Sequence, residues 1–374
     1  MLSTTIFPGR YVQGYDAIKT LGKEASRFGK KALLIVDPYV ADRLFSSFQG
    51  SLVEAIEYHL ERFTGEASDE EVERLGGIVR QAGSQMVIGI GGGKTMDTAK
   101  AVSYHHRIPV IIVPTIASTD APCRALSVIY TPSGEFKRYL VLPKNPDMVL
   151  VDSKVVADAP VRFLVSGMGD ALATWFEAES ARQKFAPNMT GNVGSMTAYA
   201  LARLCFETLM ADGVAAKTAC EVHAVVPALE RVIEANTLLS GLGFESGGLA
   251  AAHAIHNGLT ALEETHPYFH GEKVAFGTLA SLFLTGKPST MIDDVYTFCE
   301  DVGLPTTLAD IGLEDVRDEQ LMAVARAATA QGETIHNEPI PVTPEMVFAA
   351  MKAADAEGRR RQICYEEEEF AQER

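Results

Sequence analysis

Two groups of residues in this sequence of 374 residues are of types that could do chemistry. In the first, residues 89–100 (GIGGGKTMDTAK), an apolar run leads through four glycines into a helix-like pattern. Glycines allow a backbone to approach a phosphate group closely, and the N–H groups of a helix's first turn point toward such an anion. The segment therefore predicts a binding site for a nucleotide or another phosphate.

The spacing of these glycines excludes two common phosphate-binding motifs. A G-x-G-x-x-G motif that starts at Gly89 needs a glycine where Lys94 stands, and one that starts at Gly91 needs a glycine at position 96. A P-loop built around Lys94 needs its first glycine at position 88, where the sequence has isoleucine. The alternative is a tight strand-to-helix turn without a ligand.

The second group is one aspartate and three histidines in the C-terminal half. His253 and His256 are three residues apart, so they share a face if this segment is helical. One carboxylate, from Asp170, and two imidazoles would suit Zn²⁺ or Fe²⁺ and would leave a position open for a substrate oxygen. Each residue also has an ordinary alternative: Asp170 as a helix N-cap, His253 and His256 as hydrogen-bonded core residues, and His270 as a helix-entry residue.

The first 160 residues predict the elements that would position the phosphate site. Short apolar runs alternate with helical patterns, which is typical of a parallel sheet with helices on both faces. The predicted strands are residues 31–36, 86–90, 109–113 and 149–151. Residues 127–142 have a Pro-Ser-Gly turn between two β-rich arms and predict a hairpin.

Ligands of open α/β sheets bind beyond the carboxyl ends of the strands, and three loops of this sequence lie there. They contain Asp37, residues 91–94 and residues 115–120. Asp37 could accept hydrogen bonds from ribose hydroxyls, or it could be only a turn residue before Pro38.

After Pro160 the strand signals stop and helical patterns follow one another. We therefore predict two domains: an α/β, Rossmann-like dinucleotide-binding domain over residues 1–160 and an α-helical metal- and substrate-binding domain over residues 161–374. Thr343 suits the N-cap of one of the later helices, with Pro344 in its first turn.

Composition narrows the class of protein. The net charge of −16 argues against a nucleic-acid-binding surface, and no apolar segment has the length that a membrane span needs. The N-terminus lacks the pattern of a signal peptide, and the five cysteines are scattered without a C-x-x-C motif. These features predict a cytoplasmic protein that contacts neither membrane nor nucleic acid.

Six segments, in order along most of the chain, resemble the glycerol dehydrogenases of the iron-containing (group III) alcohol dehydrogenase superfamily. They are GIGGGKTMDTAK at 89–100, PTIASTDAPCRALSVIY at 114–130, GEFKRYLVLPKNPDMVLVD at 134–152, GMGDALATWFEA at 167–178, GGLAAAHAIHNGLTAL at 247–262 and HGEKVAFGTL at 270–279. The resemblance implies a dehydroquinate synthase-like architecture, and it implies oxidation of a vicinal polyol, glycerol to dihydroxyacetone, with NAD and a metal ion. It also implies a homo-oligomer, often an octamer in this family.

The resemblance assigns roles to individual residues. The metal ligands would be Asp170, His253 and His270, a set that favours zinc over iron. Asp120 would contact the polyol, and His256 would lie near the metal as a proton relay. The residues that fall in the cofactor-binding set are Asp37, Gly93, Lys94, Asp97, Thr115, Ser118, Arg124, Leu126 and Tyr130.

Arg124 departs from the family pattern, which has serine at this position. A long and permanently charged side chain could reshape the substrate pocket or bind an anionic substrate or cofactor group. Alternatively, its backbone could supply the cofactor contact while the side chain points away. Arg124 therefore keeps two other enzymes open, a glycerol-1-phosphate dehydrogenase and a dehydroquinate synthase-like lyase. A nucleotide-binding regulatory subunit is the non-enzyme alternative.

Overall fold

The computed structural model describes residues 2–372 and divides into two compact units. The α/β unit contains Ile6–Leu164 and Thr218–Gly241. The helical unit contains Val165–Lys217, the chain from Leu242 onward and the N-terminal residues up to Thr5. The domain boundary between residues 160 and 161 stays a prediction.

Eight strands precede residue 153, and six of them correspond to the four predicted strands and the two arms of the predicted hairpin. The eight are β1 Tyr11–Gly14, β2 Lys31–Val36, β3 Glu57–Arg62, β4 Met86–Gly91, β5 Val110–Pro114, β6 Leu126–Tyr130, β7 Phe136–Val141 and β8 Met148–Asp152. Six form a wholly parallel sheet in the order β1-β8-β5-β4-β2-β3. The predicted hairpin is the antiparallel pair β6-β7, which is separate from this sheet.

The described residues also form fifteen α-helices. They are α1 Leu21–Ala25, α2 Pro38–Arg43, α3 Gln49–Val53, α4 Asp69–Ala82, α5 Gly93–His106, α6 Ser153–Asp158, α7 Val161–Lys184, α8 Met196–Glu221, α9 Pro227–Glu234, α10 Ser240–Gly247, α11 Ala251–Leu259, α12 His270–Leu284, α13 Ser289–Val302, α14 Asp318–Ala328 and α15 Pro344–Gln372. A π-helical turn, Ala235–Leu239, joins α9 to α10. None of the helices in residues 2–372 combines the length and apolar character that a membrane crossing needs.

The central strands are buried because their side chains are almost all apolar. Every residue of β4 and β5 is buried, and β2 is exposed only at Lys31. A Cβ atom at Gly89 of β4 would lie 2.5 Å from the Cβ of Ala99, so glycine at this position allows α5 to pack closely on the sheet. This contact holds the N-terminus of α5 at the carboxyl end of β4.

The sequence missed the two edge strands of the sheet. Strand β3 carries three charged residues, and none of its positions is buried, so it has no apolar run. Strand β1 has four residues of intermediate exposure and pairs only with β8. Edge strands are exposed on one side, and their sequences therefore resemble those of loops.

Candidate functional site

Asp170, His253 and His270 come together in the helical unit. They lie on α7, on α11 and at the first position of α12, respectively. One ligand atom from each lies within 4.8 Å of the other two, and the Oδ1 of Asp170 is 3.3 Å from the Nε2 of His253 and 3.1 Å from the Nε2 of His270. Asp170 is buried and His270 is partly exposed, so the cluster has a closed side and an open side.

Glu177 orients His253 through the ring nitrogen that faces away from Asp170. Its Oε2 atom accepts a hydrogen bond of 2.6 Å from the Nδ1 of His253, while its Oε1 accepts from the backbone N–H groups of Ala250 and His253. Glu177 lies seven residues after Asp170, two turns along the same face of α7. A carboxylate on the remote nitrogen of a histidine fixes the tautomer that leaves Nε2 as a metal ligand.

A second hydrogen-bond chain fixes His270 in the same way. Asn257 donates through Nδ2 to Glu333, so its Oδ1 faces the Nδ1 of His256 at 3.2 Å. His256 therefore carries its proton on Nδ1, and its Nε2 accepts from the Nδ1 of His270 at 3.0 Å. In this arrangement the Nε2 of His270, 3.1 Å from the Oδ1 of Asp170, is the nitrogen that remains for a metal ion.

The buried side chains of the cluster shift one another's pKa values. Burial opposes the ionisation of Asp170, but the charge of His270 and hydrogen bonds from both histidines outweigh it and hold the pKa of Asp170 well below its usual value. Burial lowers the pKa of His253, but the Glu177 and Asp170 carboxylates raise it well above its usual value. Burial and the two neighbouring histidines lower the pKa of His256 well below its usual value.

Two glycines allow the ligand helices to approach each other. A Cβ atom at Gly271 would overlap the carbonyl oxygen of Ser166, and one at Gly169 would overlap the carbonyl oxygen of Gly271. Helices α7 and α12 therefore cross with their backbones in contact beside Asp170 and His270. The donor set of one carboxylate oxygen and two imidazole nitrogens fits a divalent metal such as Zn²⁺ or Fe²⁺.

The structure tests the ordinary structural roles that the sequence left open for Asp170 and His270. The N-cap interpretation of Asp170 is wrong, because α7 begins at Val161 and Asp170 lies in its interior. The helix-entry description of His270 is correct, but it does not exclude a ligand role, since the first residue of α12 also joins the cluster.

In the α/β unit, the glycine loop lies at a switch point of the sheet. Strands β2 and β4 are neighbours, but the chain leaves β2 toward β3 on one side and leaves β4 toward β5 on the other. Loops diverge at such a point and form a ligand crevice at the carboxyl ends of the strands. Gly91 has a positive φ of 154°, and Gly93 has no heavy atom within 4 Å of the position a Cβ would occupy. Phosphate oxygens could therefore approach the N-terminus of α5 at Gly93.

Asp37 lies beside this loop at the end of β2. It is the N-cap of α2, and its Oδ1 accepts a hydrogen bond of 2.9 Å from the backbone of Tyr39. A Cβ atom at Gly91 would lie 2.8 Å from the Cβ of Asp37, so the ends of β2 and β4 are close together. The turn-residue interpretation describes what Asp37 does here, and its contact with a ribose stays a prediction.

Lys94 and Tyr130 meet at the first turn of α5. The Nζ of Lys94 lies 5.0 Å from the centre of the Tyr130 ring and donates a hydrogen bond of 2.6 Å to Glu66. Tyr130 ends β6, and burial raises the pKa of its hydroxyl. Lys94 is exposed, so its ammonium group is accessible to a phosphate.

The remaining predicted cofactor residues lie on the loop after β5 and on β6. Thr115 donates through its backbone to the carbonyl oxygen of Gly91, which joins this loop to the glycine loop. Ser118 is partly exposed on the same loop, and Leu126 is buried at the start of β6.

Asp97 is buried, and both of its oxygens are engaged by protein groups. Lys100 donates to Oδ1, while the backbone of Val128 and the side chain of Arg124 donate to Oδ2. Arg124 also lies 3.8 Å from Asp120. Asp97 therefore joins α5 to β6, and its contact with a cofactor stays a prediction.

Sequence reasoning missed Glu177, Asn257 and Glu333, which orient the histidines without joining the donor set. The available signal was the seven-residue spacing between Asp170 and Glu177. A parallel sheet that carries a glycine loop, together with a helical unit that carries an Asp-His-His set, indicates an enzyme that uses a nucleotide and a metal ion.

Comparisons with known proteins agree with this class. The family model described as iron-containing alcohol dehydrogenase matches residues 8–153. The chain is 66% identical over 366 residues to the glycerol dehydrogenase of Thermotoga maritima, a match that covers 96% of this chain and 99% of the relative. It is 52% identical over 361 residues to that of Citrobacter freundii, with coverage of 96% and 99%.

The crystal structure of glycerol dehydrogenase from Schizosaccharomyces pombe superposes with a TM-score of 0.92 at 39% identity and covers 97% of this chain and 93% of that one. The chain therefore belongs to the glycerol dehydrogenases of the iron-containing alcohol dehydrogenase family.

Proposed function

We propose that this protein oxidises glycerol to dihydroxyacetone, with NAD⁺ as the hydride acceptor and a divalent metal ion held by Asp170, His253 and His270. The observation that carries the proposal is this three-residue donor set in a chain 66% identical to a glycerol dehydrogenase. The Nδ1 atoms of both histidines are held by hydrogen bonds, to Glu177 and to His256. This donor set suits zinc or iron, and the resemblance to the glycerol dehydrogenases favours zinc.

The reaction removes a hydride from the carbinol carbon and a proton from its hydroxyl, which gives a ketone, NADH and H⁺. A bound divalent cation would supply Lewis acidity that lowers the pKa of the substrate hydroxyl. Glu177 accepts the Nδ1 proton of His253 and His256 accepts that of His270, so Nε2 is in each case the nitrogen available to a metal ion. The site is therefore set for binding a metal ion.

Other residues bind and orient the two reactants. The N–H groups at the start of α5 and the Lys94 ammonium would hold the pyrophosphate of NAD. The Asp120 carboxylate would accept hydrogen bonds from hydroxyls of the polyol, and holding the donor carbon in one orientation lowers the barrier to transfer. His256 is the residue that would relay the released proton.

Turnover after removal and restoration of the metal tests the proposal. Protein stripped with a chelator should produce no NADH from glycerol, and added Zn²⁺ should restore production. Glycerol and 1,2-propanediol should be oxidised in preference to 1-propanol and sn-glycerol 1-phosphate. Absence of turnover with both polyols after zinc restoration would refute the assignment, and retained NAD binding in that case would indicate a regulatory subunit.

Self-association is a separate part of the proposal. We infer from the family that the protein forms a homo-oligomer, and light scattering on a size-exclusion column would measure its mass. A monomer mass near 40 kDa would contradict this part alone. The cytoplasmic location stays a prediction.

A further inference from the structure

The loop between β5 and β6 carries two charged side chains that lie against each other. The Oδ1 of Asp120 is 3.8 Å from a guanidinium nitrogen of Arg124, and its Oδ2 accepts a hydrogen bond of 3.4 Å from the hydroxyl of Ser240. The exposed fraction is 6% for the side chain of Asp120 and 17% for that of Arg124. Donor groups therefore face both oxygens of a nearly buried carboxylate.

Arg124 is itself held by a carboxylate that cannot easily move. Its Nη2 lies 3.3 Å from the Oδ2 of Asp97, the same oxygen that accepts from the backbone of Val128 at 3.0 Å. The Oδ1 of Asp97 accepts from Lys100, whose buried ammonium group also donates to the carbonyl oxygen of Ala121 at 2.6 Å. Asp97 thus anchors the guanidinium to α5 and β6.

These four side chains form a charge-balanced cluster. Arg124 and Lys100 are positive, while Asp97 and Asp120 are negative, so their formal charges cancel. A carboxylate as buried as Asp120 is costly unless a cation or hydrogen-bond donors compensate it. An arginine that already faces two carboxylates is also poorly placed to attract a third anion.

We propose that Arg124 is a positioning residue for a neutral, hydroxyl-bearing substrate: it holds the Asp120 carboxylate in the orientation that accepts hydrogen bonds from the polyol. The inference rests on the proposed function, because it requires Asp120 to contact the substrate. Arg124 then acts through Asp120, and its charge is not a receptor for a phosphate or carboxylate of the substrate.

Steady-state kinetics of Arg124 variants test this role. Arg124→Gln should raise the KM for glycerol about tenfold, which is the effect of weakening one hydrogen bond between the Asp120 carboxylate and the polyol. It should change the KM for NAD⁺ by less than about twofold. Arg124→Lys should recover part of the glycerol affinity because it keeps the positive charge. Arg80→Gln, at an exposed arginine of α4, is the matched control and should match the wild type.

A double-mutant cycle with Asp120→Asn separates positioning from an independent contact. If Arg124 acts through Asp120, Arg124→Gln should raise the glycerol KM by less than about twofold when Asp120 is already replaced. Additive effects would overturn the inference. Melting temperature and metal content of each variant exclude unfolding as the cause, and Arg124→Lys supplies the comparison if Arg124→Gln does not fold.

Two further results would overturn the inference. A KM for NAD⁺ that rises in Arg124→Gln while that for glycerol stays constant would assign the arginine to the cofactor. Competitive inhibition of the wild type by sn-glycerol 1-phosphate that Arg124→Gln relieves would assign it to an anion. Failure of the wild type to oxidise any polyol would instead refute the proposed function, so the two failures are distinguishable.

Discussion

Replacement of Glu177 by glutamine should weaken metal binding without changing the shape of the helical unit. A glutamine oxygen can still accept from the backbone N–H groups of Ala250 and His253, which Glu177 Oε1 now accepts. The only interaction that must change is the 2.6 Å hydrogen bond from the Nδ1 of His253, because the glutamine amide would present a donor to a donor. His253 would then favour the tautomer with its proton on Nε2, the atom directed at Asp170.

The expected loss follows from this single interaction. Substitution of a carboxylate that orients a metal-binding histidine costs about 10- to 100-fold in metal affinity, or roughly 1.4–2.7 kcal/mol. The assay is titration of the stripped protein with Zn²⁺ against a competing chelator. The thermal stabilisation by excess metal should fall by a corresponding amount, since it depends on the ratio of metal concentration to Kd.

Glu179→Gln is the matched control for this experiment. Glu179 lies two residues further along α7, and its carboxylate pairs with Lys287 instead of a histidine of the cluster. Its loss should leave zinc affinity at the wild-type value. If Glu177→Gln and Glu179→Gln bound zinc equally well, the claim that Glu177 sets the tautomer of His253 would be refuted.

Three further predictions concern pH dependence, helix packing and cofactor binding. Burial raises the pKa of Glu338 from 4.5 to about 7 in the folded protein. The resulting stabilisation of the fold is complete below pH 4.5 and is lost as the pH rises to 7. Urea unfolding should therefore show that the wild type loses about 3 kcal/mol of unfolding free energy relative to Glu338→Gln across this window. A parallel pH dependence in both proteins would contradict this. Gly271→Ala should destabilise the protein by about 3 kcal/mol or more, because its methyl group overlaps Ser166, whereas Gly50→Ala meets nothing within 4 Å and should be neutral or slightly stabilising in thermal melts. Lys94→Met should raise the KM for NAD⁺ about tenfold with little effect on that for glycerol, and equal effects on both would argue against a phosphate contact.

The parts of the fold that the sequence predicted are those with the strongest burial. Strand β2 was predicted with its observed bounds, and β4 and β5 within one residue, because their apolar runs lie in the middle of the sheet. Edge strand β3 has no such run, since only Tyr58 and Leu60 pack against the core and its charged residues are interspersed with them. Its place is set by pairing with β2, which is a tertiary interaction that local patterns do not contain.

For the candidate site, the sequence identified the ligand types but not their local geometry. The sequence suggested that Asp170 caps the start of a helix, whereas α7 begins at Val161 and runs through Gly169, whose small size allows α12 to approach. Glu177 was missed because a glutamate on an amphipathic helix usually faces solvent. Its burial beside His253 depends on α11, which is more than 70 residues away in the chain.

The close crossing of α7 and α12 should make amide hydrogen exchange sensitive to loss of the metal ion. No side chain separates the two backbones at Gly169 and Gly271, so small separations of the helices expose main-chain amides directly to water. A bound ion ties Asp170 on one helix to His270 on the other and should slow that opening. Amide hydrogen exchange at these two glycines would therefore act as a local gauge of metal occupancy, independent of any substrate.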